Sequence, residues 1–475
     1  MQERILAAVD LGTTTTSLSV SRIDETGFTQ VLWYGKKPSE GILRGNIVNP
    51  KNACKPLRAL IEDAQEAVGE KIGSVVLALP RWKMKADSVE FSTQRTNPDD
   101  FISEDEIATL KDAARDSFKN LQEGWTIYGV IAQTYSTDDQ FQVSESDVVG
   151  MTSNTLTGKY LVFSGPARAI SNADKMAAEL GVVIVEECLI PQVEAECVLS
   201  EDEREHGVAL VEIGGGVTSV SIFHRGIMRS YGSFPFGGKS VTEDIRQECG
   251  IQERLAENIK LGFGSCMPDR LLSLSEKIIQ ISDKRTGDIH QLPVKYLSEI
   301  IGSRMHEIAE AVMHLIGESG YADKLKSGVV LTGGGADILS CGALFADISG
   351  YPVRVSYPHA NNVDTAAATE ITLLDAAAQL SMVNSYRSKA HISCATELPK
   401  AEEPKKEEKP KLEEPVATEG QGDLFGAEEP KPKEEPKKTK KPEKSEKPKK
   451  PGLFDKLNGF VGSLYEDLDS NENNG

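Results

Sequence analysis

Apolar and polar positions along residues 207–223 (GVALVEIGGGVTSVSIF) describe two strands joined by glycine: Val208, Leu210, Val211 and Ile213 read as a buried strand, and 217–223 resumes as a second. A hairpin whose tip is Gly214, Gly215 and Gly216 lets backbone N–H groups approach an anion with no Cβ in the way. Glu212, just before the turn, would place a carboxylate beside that anion, where a hydrated Mg²⁺ fits. The pattern recurs. Residues 5–20 (ILAAVDLGTTTTSLSV) run from a strand through Asp10, Gly12, Thr13 and Thr14 into another strand, and residues 328–339 (GVVLTGGGADIL) run from a strand through Gly333, Gly334 and Gly335 into a helix. The first two, each an acid followed by a tight turn, are what the halves of an internally duplicated fold would supply. Together they would pinch a triphosphate, with the third glycine run as a floor for a base.

Periodicity assigns most of the remaining elements. Residues 51–68 read as a helix with Leu57, Leu60, Ile61, Ala64 and Val68 on one face, and 74–79 (SVVLAL) as a buried strand ended by Pro80. Residues 82–163 break this α/β order. A capping box, Ser103 and Glu106, opens a helix through Ile107, Leu110, Ala114 and Phe118; strands are expected at 125–133 and 140–143, then VVGMTSNTLTGKYLVF. Bounded by strands of one sheet, this insert has the size of a small domain and reads as excisable. A helix at 168–180 stops at Gly181, a strand covers 182–186, and 190–199 forms one more element. Gly237 and Gly238 precede a helix starting near Ser240 or Thr242, whose N-terminus is a natural phosphate neighbour. A helix at 297–315 turns Ile300, Ile301, Met305, Ile308, Val312 and Leu315 inward; a strand at 351–357 and an alanine-rich helix at 364–382 follow.

Composition narrows the partners. The 475 residues carry 53 basic against 73 acidic side chains, a net charge of −20 that argues against nucleic acid. Seven scattered cysteines offer neither a zinc pattern nor a disulfide framework, which fits a reducing cytoplasm. The start, MQERILAAVD, does not read as a signal peptide, and no apolar run reaches the roughly 20 residues needed to span a bilayer. From about 400 to 450 proline recurs and apolar residues nearly vanish, as in a disordered, extended linker. Its end, 431–450, holds ten lysines against four glutamates. Beyond it, Leu453, Phe454, Leu457, Phe460, Val461, Leu464, Tyr465 and Leu468 fall within about a 140° arc of a helix. A helix tied to no core by so long a linker reads as an in-plane membrane anchor, with the lysines supplying the attraction to anionic lipid that its acidic polar face lacks.

Three glycine turns in this order resemble the actin-like ATPase superfamily, which includes actin, DnaK-type chaperones, sugar kinases and bacterial filament proteins. The insert's serine-started acidic helix, its strand ending near Tyr135 and the VGM at 149–151 resemble subdomain 1C of the bacterial cell-division family FtsA, although a valine stands where that family has a proline before the VGM. The resemblance implies an α/β, actin-like duplicated two-lobed ATPase fold. Its first lobe comprises 1–81 and 165–206, closed by a helix at 366–388, with subdomain 1C inserted at 82–164. The second lobe comprises 207–235 and 308–365, with subdomain 2B at 236–307; the linker is 389–450 and the anchor 451–468. ATP and Mg²⁺ are implied as cofactors, with Asp10 and Glu212 on the metal. Gly12, Thr13, Thr14, Gly214, Gly215, Gly216 and Gly238 are placed on the phosphates, and Gly333, Gly334 and Gly335 under the base. Matching the GG, T, DI, AE and K of 237–260 puts Glu257 and Lys260 near ribose and adenine. Glu196, or else Glu194, would orient the attacking water. Arg304 becomes a candidate contact for the FtsZ C-terminal tail. The family also implies self-association through 1C, other divisome partners, and a place on the cytoplasmic face of the membrane at the division site. Two departures, Glu212 for the usual aspartate and no alanine-serine pair after Pro191, bear on the hydrolysis rate, which is expected to be slow at most. A sugar or acid kinase would need a catalytic aspartate facing a substrate pocket, and a DnaK-type chaperone a β-rich domain in place of the charged linker.

Overall fold

The computed structural model describes residues 4–23, 29–282, 289–356 and the pair Thr396–Glu397. The expected helices at 364–382 and 451–468, the linker between them, and with them Leu453, Phe454, Leu457, Phe460, Val461, Leu464 and Leu468, lie outside the described residues.

The first lobe begins with β1 (Arg4–Leu11), antiparallel to β2 (Thr15–Ile23), which pairs antiparallel with β3 (Thr29–Pro38). Helix α1 (Pro50–Val68) is capped by the Asn49 side chain, which accepts the N–H of Asn52, and ends on Gly69 in the left-handed region. It leads to β4 (Ser74–Ala78), parallel to β1. The insert follows: β5 (Lys85–Gln94), α2 (Glu104–Ser117), β6 (Trp125–Ser136) and β7 (Thr155–Pro166). Then come α3 (Ala167–Leu180), β8 (Val183–Cys188) parallel to β4, and α4 (Ile190–Val198). The second lobe is built from β9 (Val208–Ile213), β10 (Thr218–His224), β11 (Ile227–Phe234), α5 (Gly238–Cys249), α6 (Glu253–Phe263), α7 (Val294–Glu318), β12 (Val329–Thr332), α8 (Cys341–Ser349) and β13 (Val353–Val355).

The two sheets repeat one topology. The first runs β3-β2-β1-β4-β8, with Thr396–Glu397 added beside β3; the second runs β11-β10-β9-β12-β13. In each, a three-stranded antiparallel meander is extended by two parallel strands. The duplication expected from the two acid-plus-turn hairpins is therefore the plan of the fold, and it sets β1–β2 and β9–β10 as equivalent elements. All six residues of β9 are buried, as a central strand covered on both faces must be, so Glu212 sits in a wholly buried strand. Helix α7 starts earlier than expected and buries Val294, Leu297, Ile301, Met305, Ile308, Val312 and Ile316 in the core of the second lobe, while Ile300 and Leu315 are only half-buried.

The insert is a three-stranded antiparallel sheet, β5-β7-β6, carrying α2. Ile107, Leu110 and Ala114 pack on Tyr135, Leu156 and Tyr160. Two local expectations change. The strand at 140–143 reduces to one bridge, Val143 to Tyr135, because β6 continues to Ser136 and leaves only a tight return. The capping box is half-formed: the Ser103 hydroxyl accepts the Glu106 N–H, but both Glu106 carboxylate oxygens accept from Arg95 at 2.6 and 3.0 Å. Arg95 also donates to the carbonyls of Pro98, Asp100 and Ser153, so one buried guanidinium ties together the loops at the far end of the insert. The near end is not separate from the body. Met84, Leu161 and Phe163 share a core with Ala195, Val198, Leu210, Phe223, Met228 and Val330.

Candidate functional site

The β1–β2 and β9–β10 turns meet tip to tip. A Cβ on Gly215 would lie 2.6 Å from Thr14 Cγ2, and one on Gly216 2.7 Å from Thr13 Cγ2, so the tips touch only because these residues are glycine. Neighbouring elements fix the direction of each peptide plane. The Ser39 hydroxyl donates to the Gly12 carbonyl at 2.7 Å and the Ser39 N–H to the Thr14 carbonyl at 3.0 Å. The first N–H groups of α5, on Gly238 and Lys239, donate to the Gly214 and Gly215 carbonyls at 2.9 and 2.7 Å. In a trans peptide the C=O and N–H point opposite ways, so the N–H groups of Thr13, Gly215 and Gly216 are aimed away from these supports. Those of Thr13, Thr14, Gly215 and Gly216 have no acceptor among the described residues. This corrects the expected role of the helix terminus. Helix α5 begins at Gly238 rather than near Ser240 or Thr242, and its first donors orient the glycine turn.

Every residue expected to hold the nucleotide lines one cavity of about 860 Å³: Asp10, Gly12, Thr13, Thr14, Glu212, Gly214, Gly215, Gly216, Gly238, Glu257, Lys260, Gly333, Gly334 and Gly335. Gly333 has φ +83, and a Cβ there would meet the Ile213 carbonyl at 2.7 Å, so the third glycine run lies against the end of β9. Opposite it, α6 supplies Glu257 and Lys260. The Lys260 ammonium is buried and donates to the Gly238 carbonyl, the Thr242 hydroxyl and Glu257 at 2.9, 2.8 and 2.8 Å. Its three donors are thus engaged by acceptors of the chain, and Lys260 holds Glu257, which also accepts from Thr242. Lys36, Arg44, Lys239 and Arg254 also line the cavity, unmarked by any sequence pattern.

The acidic end of the cavity differs most from expectation. Glu194 faces it and Glu196 does not: Glu194 is buried and lines the cavity, whereas Glu196 is exposed on the other side of α4. The structure therefore overturns the preference for Glu196. Asp10, Glu194 and Glu212 converge on the Arg81 guanidinium, whose nitrogens lie 3.8 Å from Asp10, 2.5 Å from Glu194 and 3.1 Å from Glu212. Arg81 follows directly on Pro80, beyond the end of β4, and no sequence motif marked it. Burial works against its charge, but Glu194, Glu212 and Asp10 together hold its pKa well above the usual range. Burial also pushes the Glu212 carboxyl up to about 8 despite Arg81, with Glu194 and Asp10 adding to the rise. Burial raises Glu194 likewise. The expected metal ligands, Asp10 and Glu212, thus face a guanidinium, and no described group of three or more His, Cys, Asp or Glu side chains is placed to hold a metal.

Arg304, the expected partner contact, is engaged within the chain. Nε and one terminal nitrogen bind both oxygens of Asp244 at 2.6 and 3.0 Å, the other binds Glu307 at 2.7 Å, and the guanidinium covers the Phe236 ring. It braces α5 against α7.

A duplicated two-lobed α/β fold with a glycine-lined cleft between its hairpins defines an actin-like protein. A solved chain of the PilM-PilN type IV pilus biogenesis complex shares that fold with a TM-score of 0.55 at 14% identity, covering 80% of this chain and 98% of its own length. Within that class the chain is similar to the FtsA family of cell-division proteins. The family model described as Cell division protein FtsA matches residues 209–373. Cell division protein FtsA of Pseudomonas aeruginosa is 28% identical over 362 residues, 75% of this chain and 84% of that relative. The protein of the same description from Neisseria meningitidis is 26% identical over 391 residues, 80% of this chain and 91% of its own length.

Proposed function

We propose that the chain binds ATP between its lobes, polymerises through the insert, and tethers the C-terminal tail of FtsZ to the anionic cytoplasmic face of the membrane at the division site, among other divisome partners. The observation that carries this reading is the pair of touching tips whose N–H groups on Thr13, Gly215 and Gly216 are aimed by their neighbours and, with that of Thr14, left without acceptors among the described residues. Donors arranged in this way suit a phosphate chain. Turnover should be slow, because Glu194, to which we assign the proton from an attacking water, already accepts from Arg81.

Self-association through the insert is supported by its far end. Strands β5 and β6 both run antiparallel to β7, so the loops after Gln94 and after Ser136 leave the sheet at the same end. Each carries an exposed aromatic, Phe101 at 75% and Phe141 at 76% exposure. Replacing both with serine should abolish filaments on lipid monolayers while leaving the melting temperature unchanged; filaments of normal length would disprove this surface.

No described helix is long and apolar enough to cross a membrane, and the proposed anchor is the amphipathic stretch 451–468. One short helix gives marginal, reversible attachment, so stable binding should need polymerisation, which multiplies weak anchors. Full-length protein with ATP is expected to pellet with anionic liposomes, and Phe460→Glu to remain in the supernatant with ATP binding intact. Equal pelleting of the two proteins would exclude this anchor.

A further inference from the structure

Arg81 stands where the acid-and-turn pattern places a hydrated divalent ion. Carboxylates from three elements reach it: Asp10 from β1, Glu194 from α4 and Glu212 from β9. A Mg²⁺ ion in their midst would need an octahedral shell of oxygens, most of them water, at about 2.0–2.1 Å from the metal. The separations of 2.5 and 3.1 Å between Arg81 and the two glutamates leave no layer for such an ion between them. The donor set therefore does not fit the metal while Arg81 is in place.

Nor is Arg81 a surface side chain that has drifted inward. Its carbonyl accepts the hydroxyls of Tyr231 and Ser233, both at 2.9 Å and both from β11, which pins its backbone to the second lobe. Its side chain is 15% exposed, and the residue lines the nucleotide cavity. A guanidinium carries five N–H donors in a rigid plane and binds phosphate as readily as carboxylate. One terminal nitrogen is committed to Glu194 and Nε faces Glu212; the other terminal nitrogen has only the longer 3.8 Å approach to Asp10 and keeps donors for a ligand in the cavity.

We propose that Arg81 is the resident cation of the cleft, gathering the three carboxylates and presenting its remaining donors to the nucleotide phosphates, so that nucleotide binds without a divalent ion. The inference rests on the reading of the cleft as a nucleotide site. Its test is calorimetric titration of the full-length protein with ATP, in excess Mg²⁺ and in excess EDTA. The wild-type affinity should differ less than about threefold between the two, and Arg81→Gln should lose at least about tenfold in EDTA, the worth of one charge-assisted hydrogen bond. A tenfold or larger loss in EDTA for the wild type overturns the proposal, since Mg²⁺ must then displace Arg81. Wild-type affinity of Arg81→Gln in EDTA overturns it as well. If that variant fails to fold, the two wild-type titrations decide alone. No ATP binding in either condition would refute the nucleotide reading itself, a result distinct from Mg²⁺ dependence.

Discussion

A chain lacking residues 82–164 should fail to fold, even though the insert reads from the sequence as a removable module. Its two ends do meet, Lys85 pairing with Ser164, so the chain could be rejoined across them. The obstacle is what the deletion takes from the core. Met84, Leu161 and Phe163 are 4%, 4% and 0% exposed and pack on α4 and on β9, β10, β11 and β12. The insert also donates the Gln133 amide to the Met228 carbonyl at 2.7 Å. Removing a single large buried side chain costs about 2–5 kcal/mol, and three such losses rival the roughly 5–15 kcal/mol that holds a domain together. The expected product is insoluble, or shows no cooperative melting transition by circular dichroism. A soluble monomer with the wild-type melting temperature would show that the shared core contributes little.

What could be read from the chain, and what could not, divides by distance along it. The glycine turns were legible because the need for glycine is local: a strand, a tip and a strand lie within one window, and the duplication shows as a repeat of that window. Arg81 was not legible. Its meaning comes from Glu194 and Glu212, far along the chain and in other elements, and nothing about a Pro-Arg-Trp stretch announces three carboxylates. The choice between Glu194 and Glu196 failed for a different reason. Helix α4 buries Ile190, Pro191, Val193, Ala195, Cys197 and Val198, so it is apolar nearly all round and offers no stripe from which to read its phase. Arg95 shows the same limit in the insert: Glu106 satisfied the spacing of a capping box, yet a buried arginine made the stronger claim on its carboxylate. Arg304 looked like an exposed cation because Asp244, its partner, lies on another helix.

Gly237→Ala should reduce ATP affinity at least about a hundredfold, roughly 2.7 kcal/mol, while leaving the protein folded. The backbone itself would tolerate alanine, because Gly237 has an extended φ of −174°. The objection is space. A Cβ would lie 2.2 Å from the Gly214 carbonyl oxygen and 3.0 Å from the Gly215 carbonyl, and both are backbone atoms that no rotamer change can move aside. To relieve the clash, the turn and the start of α5 must separate, breaking the bonds from Gly238 and Lys239 to the Gly214 and Gly215 carbonyls. Each such bond contributes about 0.5–1.5 kcal/mol net, a loss the fold can bear. The same bonds aim the Gly215 and Gly216 N–H groups, and a hydrogen bond to a charged phosphate is worth about 1.5–3 kcal/mol, so two misdirected donors account for the lost affinity. Gly262→Ala is the matched control. That glycine lies in α6, outside the cavity, with nothing within 4 Å of a Cβ, and the substitution should leave binding unchanged and stabilise the helix by about 0.5–1 kcal/mol. Calorimetric titration with ATP, paired with thermal melts, separates the two effects. If Gly237→Ala binds ATP within about threefold of the wild type, well under 1 kcal/mol, the contact between α5 and the glycine turn does not aim the phosphate donors.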